Sequence, residues 1–402
     1  LTVPAPFADQ GRNDYVNTVV DTVLEAAVQG GFPRAVTLEG GPTLVLGSTM
    51  EELEAAEADL SGGRVPSAGS LGAGSPSGEA QGRTELGTPD RTDSAVPEPV
   101  HLRRSNVMAG RIAVVTGAAQ GFGENIAREF TRAGAYVVLA DLNEEGAQKV
   151  ANQLNRERGA TAALAAGVDV SSEESVRELI NTVVDTLGGI DLLISNAGVL
   201  KAKPVREFDV ESFDFVTSVN YKGFFLCTKH GADTMALQNA GRQATVRALA
   251  GSELGESASA VDGRNAAYFT DIIQINSKSG LEGSNKNAAY AGSKFGGIGL
   301  VQSFAKELVE ESIKVNAVCP GNFFDGPLWS DPETGLFVQY LRAGKVEGAQ
   351  TVEDVKRAYE AKVPFGRGCR AEDVVRAIYY IVEQEYETGQ AVPVTGGQVM
   401  MR

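Results

Sequence analysis

From Met108 to the end of the chain, short apolar runs alternate with amphipathic helical stretches, and that rhythm leaves few folds open. Residues 112–115, 136–140, 190–194, 271–275, 313–318 and 391–394 read as strands. Between them run helical stripes: Ile126, Ala127 and Phe130 in one segment, and Val176, Leu179, Ile180, Val183, Val184 and Leu187 in another. Gly134 is placed to end the first helix, and Ser171 with Glu174 forms a capping-box pattern ahead of the second. Strands joined through helices pair in parallel and are covered on both faces. The expected fold over 108–402 is therefore α/β, a doubly wound parallel sheet of Rossmann type.

The rest of the chain reads differently. Val16, Val19, Val20, Val23 and Ala27 follow one helical face, and residues 35–38 and 43–46 predict two short strands about Glu39-Gly40-Gly41-Pro42. Thr49 and Glu52 would cap a further helix through Leu60. So short a stretch buries only a marginal core. With Leu1 first, residues 1–60 read as a partial N-terminal module, the remnant of a larger domain or an appendage docked on the rest. Residues 61–100 hold 8 Gly, 5 Pro and 6 Ser and no aromatic residue. That is too little apolar surface to offset chain ordering, so 61–107 is expected to be a flexible linker. Residues 236–265, rich in Ala, Gly and Ser, are expected to form an exposed, mobile insertion with at most a weak helix through Ala240, Ala244 and Ala248.

Composition removes several functions. Lys+Arg number 36 and Asp+Glu 52, a net charge of −16. Without a long basic block such a chain is a poor partner for nucleic acid. No apolar run approaches the ~20 residues of a membrane-spanning helix, and the N-terminal residues lack the basic-then-apolar order of a signal peptide. Cys227, Cys319 and Cys369 are odd in number and far apart, which suits reduced thiols and a cytoplasmic location. His101 and His230 are the only histidines, so neither a His-based metal site nor a Ser-His-Asp triad is expected, and no metal is assigned.

Thr116-Gly117-Ala118-Ala119-Gln120-Gly121-Phe122-Gly123 joins the strand at 112–115 to its helix. Such a turn offers backbone N–H groups and the positive end of a helix to a pyrophosphate, and glycine lets the backbone come close. A turn with no ligand would look similar. Asp141, however, ends the next strand 18 residues after Gly123, where a carboxylate can accept from both ribose hydroxyls. It would repel a 2′-phosphate, so NAD is expected rather than NADP; a strand-end turn residue beside Asn143 is the plainer alternative. Asp169 and Val170 could face the adenine, and Asn196, Ala197 and Gly198 supply another close-approach turn.

Tyr290-Ala291-Gly292-Ser293-Lys294 opens a helix expected to reach Leu308. Residues i and i+4 share a face, so the phenol and the ammonium point the same way. A neighbouring cation lowers a tyrosine pKa toward the range useful for acid–base work. Ser277, 13 residues earlier, could hydrogen-bond a substrate oxygen, and Asn220 could hold a water connecting Lys294 to solvent. Tyr-x-x-x-Lys alone is as readily an exposed helix pair. The ordered set is what carries specificity.

That set of Gly117, Gly121 and Gly123, then Asn196-Ala197-Gly198, Asn220, Ser277, Tyr290 and Lys294, resembles the short-chain dehydrogenase/reductase family. The resemblance covers 108–402 and implies hydride transfer between nicotinamide C4 and a secondary alcohol carbon. Tyr290 would exchange the hydroxyl proton and Ser277 orient the oxygen. Lys294 would hold the ribose and depress the phenol pKa, with Asn220 anchoring a proton relay. Pro320 and Gly321 join the implied cofactor contacts, together with Tyr290 and Lys294. Many relatives then carry a Thr where this chain has Asn322, followed by Phe323 and Phe324.

Segments 275–280, 294–300 and 388–400 resemble the branch of the family that acts on sugar-alcohol phosphates. This implies sorbitol 6-phosphate and NAD giving fructose 6-phosphate and NADH, with the homotetramer usual among relatives. Lys278 and Lys286 are then candidates for the substrate phosphate, each equally readable as a solvated lysine. Arg367 reads better as an ion pair with Glu372 or Asp373, and Phe323, Phe324 and Trp329 as either a mobile lid or a packed loop. Residues 1–60 resemble the middle of fused aldolase–dehydrogenase chains but offer no complete aldolase metal site.

Other readings stay beside this one. The same chemistry could serve another polyol or ketose, or the frame could belong to a non-catalytic dinucleotide-sensing protein. Residues 1–60 could also be the working interaction module, with the dehydrogenase as scaffold.

Overall fold

A computed structural model describes residues 2–3, 35–38, 43–45, 107–250, 268–333, 335–342 and 344–400. For the segments before residue 46, for 244–250 and for Pro327 it describes the backbone alone. The helices expected within 16–27 and 49–60 lie outside the described residues, as does the expected linker except for its last residue. The expected hairpin is present. Strand β2 (Ala35–Leu38) runs antiparallel to β3 (Thr43–Val45) with Ala35 opposite Val45, and β1 (Thr2–Val3) lies parallel to β2.

The larger unit is built on seven strands: β4 (Ile112–Thr116), β5 (Tyr136–Asp141), β6 (Ala163–Gly167), β7 (Leu192–Ser195), β8 (Thr270–Ile275), β9 (Ile313–Pro320) and β10 (Ala391–Val394). All pair in parallel, in the order β10-β9-β8-β7-β4-β5-β6. Strand order reverses between β4 and β7. The crevice outside the carboxyl ends at such a reversal is where doubly wound sheets bind ligands.

One face of the sheet is covered by α1 (Gly121–Arg132), α2 (Glu144–Arg158) and a late helix, α10 (Ala371–Glu383). Ile126, Phe130, Leu154 and Ile378 pack there with Ala113, Val115 and Leu139. The other face carries α3 (Glu173–Leu187), α5 (Gly223–Ala250) and α6 (Ala288–Leu308), and a shorter helix, α4 (Val210–Thr217), precedes α5. Leu179, Phe224, Met235 and Val301 pack there with Val114, Leu193 and Ile272. Val114 therefore points opposite to its neighbours, the period of two that a strand imposes. Both faces are apolar because both are covered. Each buried Leu, Ile or Phe contributes about 1.5–3 kcal/mol.

Two details depart from expectation. The cap of α3 is Ser172, whose Oγ accepts from Ser175 N, rather than Ser171. Ser171 is already engaged, donating from both N (2.9 Å) and Oγ (2.7 Å) to Asp169 Oδ1. The helix expected through Ala240, Ala244 and Ala248 is present, but it starts earlier, as a continuation of α5 through Ala236, and runs as far as Ala250. Its polar residues anchor it: Gln238 Nε2 donates to Asp191 Oδ1 at 2.9 Å, and buried Asn239 donates to Thr270 Oγ1 at 2.9 Å. Residues 251–267 lie outside the described residues.

After β9 the chain builds a small aromatic lobe from α7 (Pro327–Ser330), α8 (Leu336–Arg342) and α9 (Val352–Glu360). Phe324, Trp329, Phe337 and Val355 form its buried centre. Of the two readings for Phe324 and Trp329, the packed one holds. Among the described residues no helix is long and apolar enough to cross a membrane.

Candidate active site

The glycine turn leaves β4 at buried Thr116, whose Oγ1 accepts from Asn196 N (3.0 Å) and Ala197 N (3.1 Å). Asn196 answers with Nδ2, donating to the carbonyls of Thr116 (2.9 Å) and Gly117 (3.0 Å). The turn is thus braced from β7. A Cβ on Gly123 would lie 2.1 Å from Gly117 O, so glycine is obligatory there. Gly121 has φ +67° with nothing within 4 Å of its missing Cβ, so backbone conformation alone selects it. Gln120, the N-cap of α1, makes no side-chain capping bond. The first N–H groups of α1 thus face the crevice uncapped, as a pyrophosphate requires.

Asp141 completes that half of the crevice. Its Oδ2 accepts from Ala119 N (2.9 Å) and its Oδ1 from Asn143 N (2.8 Å), which fixes the carboxylate at the end of β5. Ribose hydroxyls would find acceptors there, so these residues fit a dinucleotide. Asp169 is exposed nearby, its carboxylate turned to Ser171. Val170 differs from expectation: only 7% exposed, it belongs to the core and leaves little side-chain surface for an adenine. Phe122 is also engaged within the protein, stacked on Phe323 at 4.3 Å between ring centres.

The second half gathers at the ends of β8 and β9. Ser277 follows β8 and accepts from Ser279 N at 3.1 Å. A hydrogen bond joins it to the phenol of Tyr290 on α6. Lys294, one turn along and 4% exposed, donates from Nζ to Ile275 O at 2.9 Å and stands 5.7 Å from the centre of the Tyr290 ring. Gly198 borders the same place, since a Cβ on it would lie 3.8 Å from Lys294 Nζ. The sequence-selected serine, tyrosine and lysine are therefore together, beside the turn at 196–198.

The electrostatics correct one expectation. Burial pushes the Tyr290 phenol above the usual tyrosine range, opposed by its hydrogen bond with Ser277. Burial also brings Lys294 down to about 8. In the protein alone, then, desolvation outweighs the expected lowering of the phenol by the lysine.

Asn220 is tied into the same scaffold. It sits in a π-helical turn, Ser218–Lys222, between α4 and α5, and is buried. Its Oδ1 accepts from Val199 N (2.8 Å), while Nδ2 donates to Val199 O (2.9 Å) and Ser293 Oγ (3.2 Å). These bonds fasten the 196–199 loop to α6, and Oδ1, which accepts a single bond, borders Gly198 together with Lys294 Nζ.

Sequence reasoning passed over two contributors. Asn276 accepts from Ser277 N (2.8 Å) and donates to Lys294 O (2.9 Å), coupling the serine to the helix of the tyrosine. Its signal was its place between a strand end and the candidate serine. Cys319, fully buried at the end of β9, meets the backbone of Ser277 and is near enough to act electrostatically on Tyr290 and Lys294, and burial takes its thiol up to about 12. A buried cysteine carries no sequence signal of that neighbourhood. Pro320 and Gly321 follow it, Gly321 N donating to Val394 O at 2.9 Å. Arg367 is the expected ion pair, 2.6 Å from Asp373.

Comparison with known proteins now decides the family. The short chain dehydrogenase family model matches residues 111–260 and 266–329. The chain belongs to the short-chain dehydrogenase/reductase family.

Among its relatives, the sorbitol-6-phosphate 2-dehydrogenase of Escherichia coli (strain K12) is 34% identical over 292 residues, 72% of this chain and 99% of that protein. The sorbitol dehydrogenase of Cereibacter sphaeroides is 31% identical over 294 residues, 72% and 98% of the two chains. The crystal structure of sorbitol-6-phosphate 2-dehydrogenase from Erwinia amylovora superposes with a TM-score of 0.61 at 35% identity, covering 72% of this chain and all of that one. As a short-chain dehydrogenase/reductase the protein is an oxidoreductase acting on CH–OH groups, and members of the family typically use NAD or NADP.

Proposed function

We propose that the protein is an NAD-dependent dehydrogenase interconverting sorbitol 6-phosphate and fructose 6-phosphate. The observation that carries the chemistry is Ser277, Tyr290 and Lys294 gathered beside a glycine turn with an uncapped helix end. The fixed Asp141 carboxylate favours NAD, because it would repel a 2′-phosphate. The likeness to two sorbitol-6-phosphate 2-dehydrogenases supports the substrate.

With its pyrophosphate held by the glycine turn, NAD would supply the hydride acceptor at its nicotinamide C4. Tyr290 takes the hydroxyl proton in oxidation and returns it to the carbonyl oxygen in reduction. Ser277 donates to that same oxygen and orients it. Lys294, fixed to Ile275 O, sets positive charge near the phenol and favours the phenolate. Asn276 and Asn220 hold these groups in register.

The same reading makes the protein a cytoplasmic homotetramer. Three free, buried cysteines suit a reducing compartment. Half-exposed aromatic residues on α4, α5 and α6 (Phe213, Phe215, Phe225 and Phe295) offer an apolar face for a second copy. Light scattering gives the mass that tests the assembly.

The function is tested by following NADH absorbance with sorbitol 6-phosphate and with sorbitol. A kcat/KM clearly higher for the phosphorylated polyol is expected. The reverse preference would favour a sorbitol dehydrogenase, in line with the 31% identical relative. Binding of NAD with no turnover of any polyol would favour a sensor. Tyr290→Phe should lower turnover by about 10²–10⁴-fold, the usual worth of acid–base catalysis, while sparing NADH binding.

A further inference from the structure

Two lysines adjoin the catalytic residues in sequence, and two more ride on the aromatic lobe, whose Tyr340 and Tyr359 pack on Trp329 (5.8 and 5.2 Å between ring centres) and through it on Phe324, four residues past the end of β9. Lys278 directly follows Ser277, and Lys286 lies in the loop that leads into Tyr290. Lys345 follows α8, and Lys362 follows α9. Lys345 Nζ stands 3.8 Å over the centre of the Tyr340 ring and Lys362 Nζ 4.1 Å over that of Tyr359. Those two rings stack on each other, 5.3 Å between centres and 23° between planes. The aromatic lobe therefore carries two ammonium groups on one paired platform. The charges also feel one another: beyond burial, Lys362 holds Lys278 down, and Lys286 and Lys362 hold Lys345 down.

Such crowding is unfavourable in the free protein, and the way it is held is informative. Lys149, Lys203, Lys229 and Lys356 elsewhere each lie within ion-pair distance of a carboxylate, although Lys201, Lys222 and Lys306 do not among the described residues. Among the described residues none of the four clustered lysines does so; Glu282 acts on Lys278 only at longer range. A tyrosine face fixes a cation without neutralising it or occupying its N–H donors in charge-assisted bonds. In a chain of net charge −16, this leaves a concentrated positive spot open to an anion. Lys278 follows β8, whereas the glycine turn that would take the cofactor's pyrophosphate follows β4, with β7 between them, so the anion is a different one.

We propose that Lys345 and Lys362, with Lys278 and Lys286, form a phosphate-binding subsite for the distal phosphate of the substrate, and that the aromatic lobe exists to present it. This rests on the sugar-phosphate reading above and adds the residues that make the distinction. Lys278 sits one residue, about 3.8 Å along the backbone, from Ser277, so one substrate can span the reacting oxygen and the cluster. The subsite selects phosphorylated over unphosphorylated polyols.

The test compares the parent with Lys345→Gln, Lys362→Gln and the double variant, using Lys149→Gln as a surface control. For each protein, kcat/KM is measured for sorbitol 6-phosphate and for sorbitol, with inorganic phosphate as a competing probe. The double variant should lose about tenfold to a hundredfold in the ratio of the two kcat/KM values, mainly through KM for the phosphorylated substrate. Inhibition by inorganic phosphate should weaken in parallel. A parent that prefers sorbitol would overturn the sugar-phosphate reading itself. A parent that prefers sorbitol 6-phosphate, with a double variant of unchanged ratio, would overturn the lysine subsite and leave that reading standing.

Discussion

Lys294 donates to the carbonyl of Ile275 at 2.9 Å, so its ammonium is tied to the end of β8 and only faces the phenol across 5.7 Å. The bond positions a charge that the fold would otherwise exclude: the residue is 4% exposed and burial brings its pKa from 10.5 down to about 8.

A group whose folded pKa is lowered contributes its stability above the unfolded value and loses it as pH falls through the folded one. For Lys294 that window runs from 10.5 down to about 8. Lys294→Met should therefore be inactive yet at least as stable as the parent at neutral pH, with the difference shrinking as pH rises through the window. Thermal unfolding at several pH values checks it. A parent that gains nothing relative to Lys294→Met between the two limits would contradict the buried-charge account.

Asp141 both accepts from Ala119 N and presents charge to the ribose. Asp141→Asn keeps an acceptor oxygen and removes the charge. The ratio of kcat/KM with NADP to that with NAD should rise about tenfold or more, since repulsion of a 2′-phosphate is what the carboxylate provides. Steady-state kinetics with both cofactors decide it.

Two glycines of one turn should respond differently. Gly121→Ala meets open space but a positive φ, at a cost of roughly 1 kcal/mol. Gly123→Ala drives a Cβ to 2.1 Å from Gly117 O and should lose about 1–3 kcal/mol by overpacking. The second should also abolish NADH binding, because the clash opens the turn that Asn196 braces. Urea unfolding and fluorescence titration measure the two effects.

At the opposite end of the sheet, Asp271 and Lys314 are register partners on β8 and β9 and pair at 3.1 Å with side chains 1% and 3% exposed. Lys314→Met leaves a buried carboxylate without its main partner and should destabilise by about 3–5 kcal/mol. The loss should be smaller in acid, where Asp271, already raised to about 6 by burial, takes up a proton. Replacing both residues by apolar ones should recover most of it. Denaturation of the single and double variants supplies the comparison.

The sheet was legible because residues 112–115 and 137–140 are apolar throughout, as only a twice-covered strand is, and because Gly117, Gly121 and Gly123 mark where the backbone must turn closely. Tyr290 and Lys294 were legible because helical spacing alone puts them on one face. The phenol's pKa was not: burial is a property of the whole packing, and it reversed the direction that the pair alone implies. The burial of Val170 was hidden for the same reason, since the Gly223 it packs on lies far away in sequence, as does the Ser293 that Asn220 reaches. The helix through Ala236 was hidden by its Ala and Gly content, which conceals anchors such as Asn239. Lys345 and Lys362 had no signal, because the stacked tyrosines that support them are brought together only by the lobe.

The ring of Phe122 leans on Phe323, and the next residue, Phe324, meets Trp329 edge-on at 5.0 Å between ring centres. The chain has a single tryptophan, so its emission reports on one place alone. Displacement of Phe122 by an arriving nucleotide should therefore change the emission of Trp329, which would make the protein's own light a gauge of occupancy.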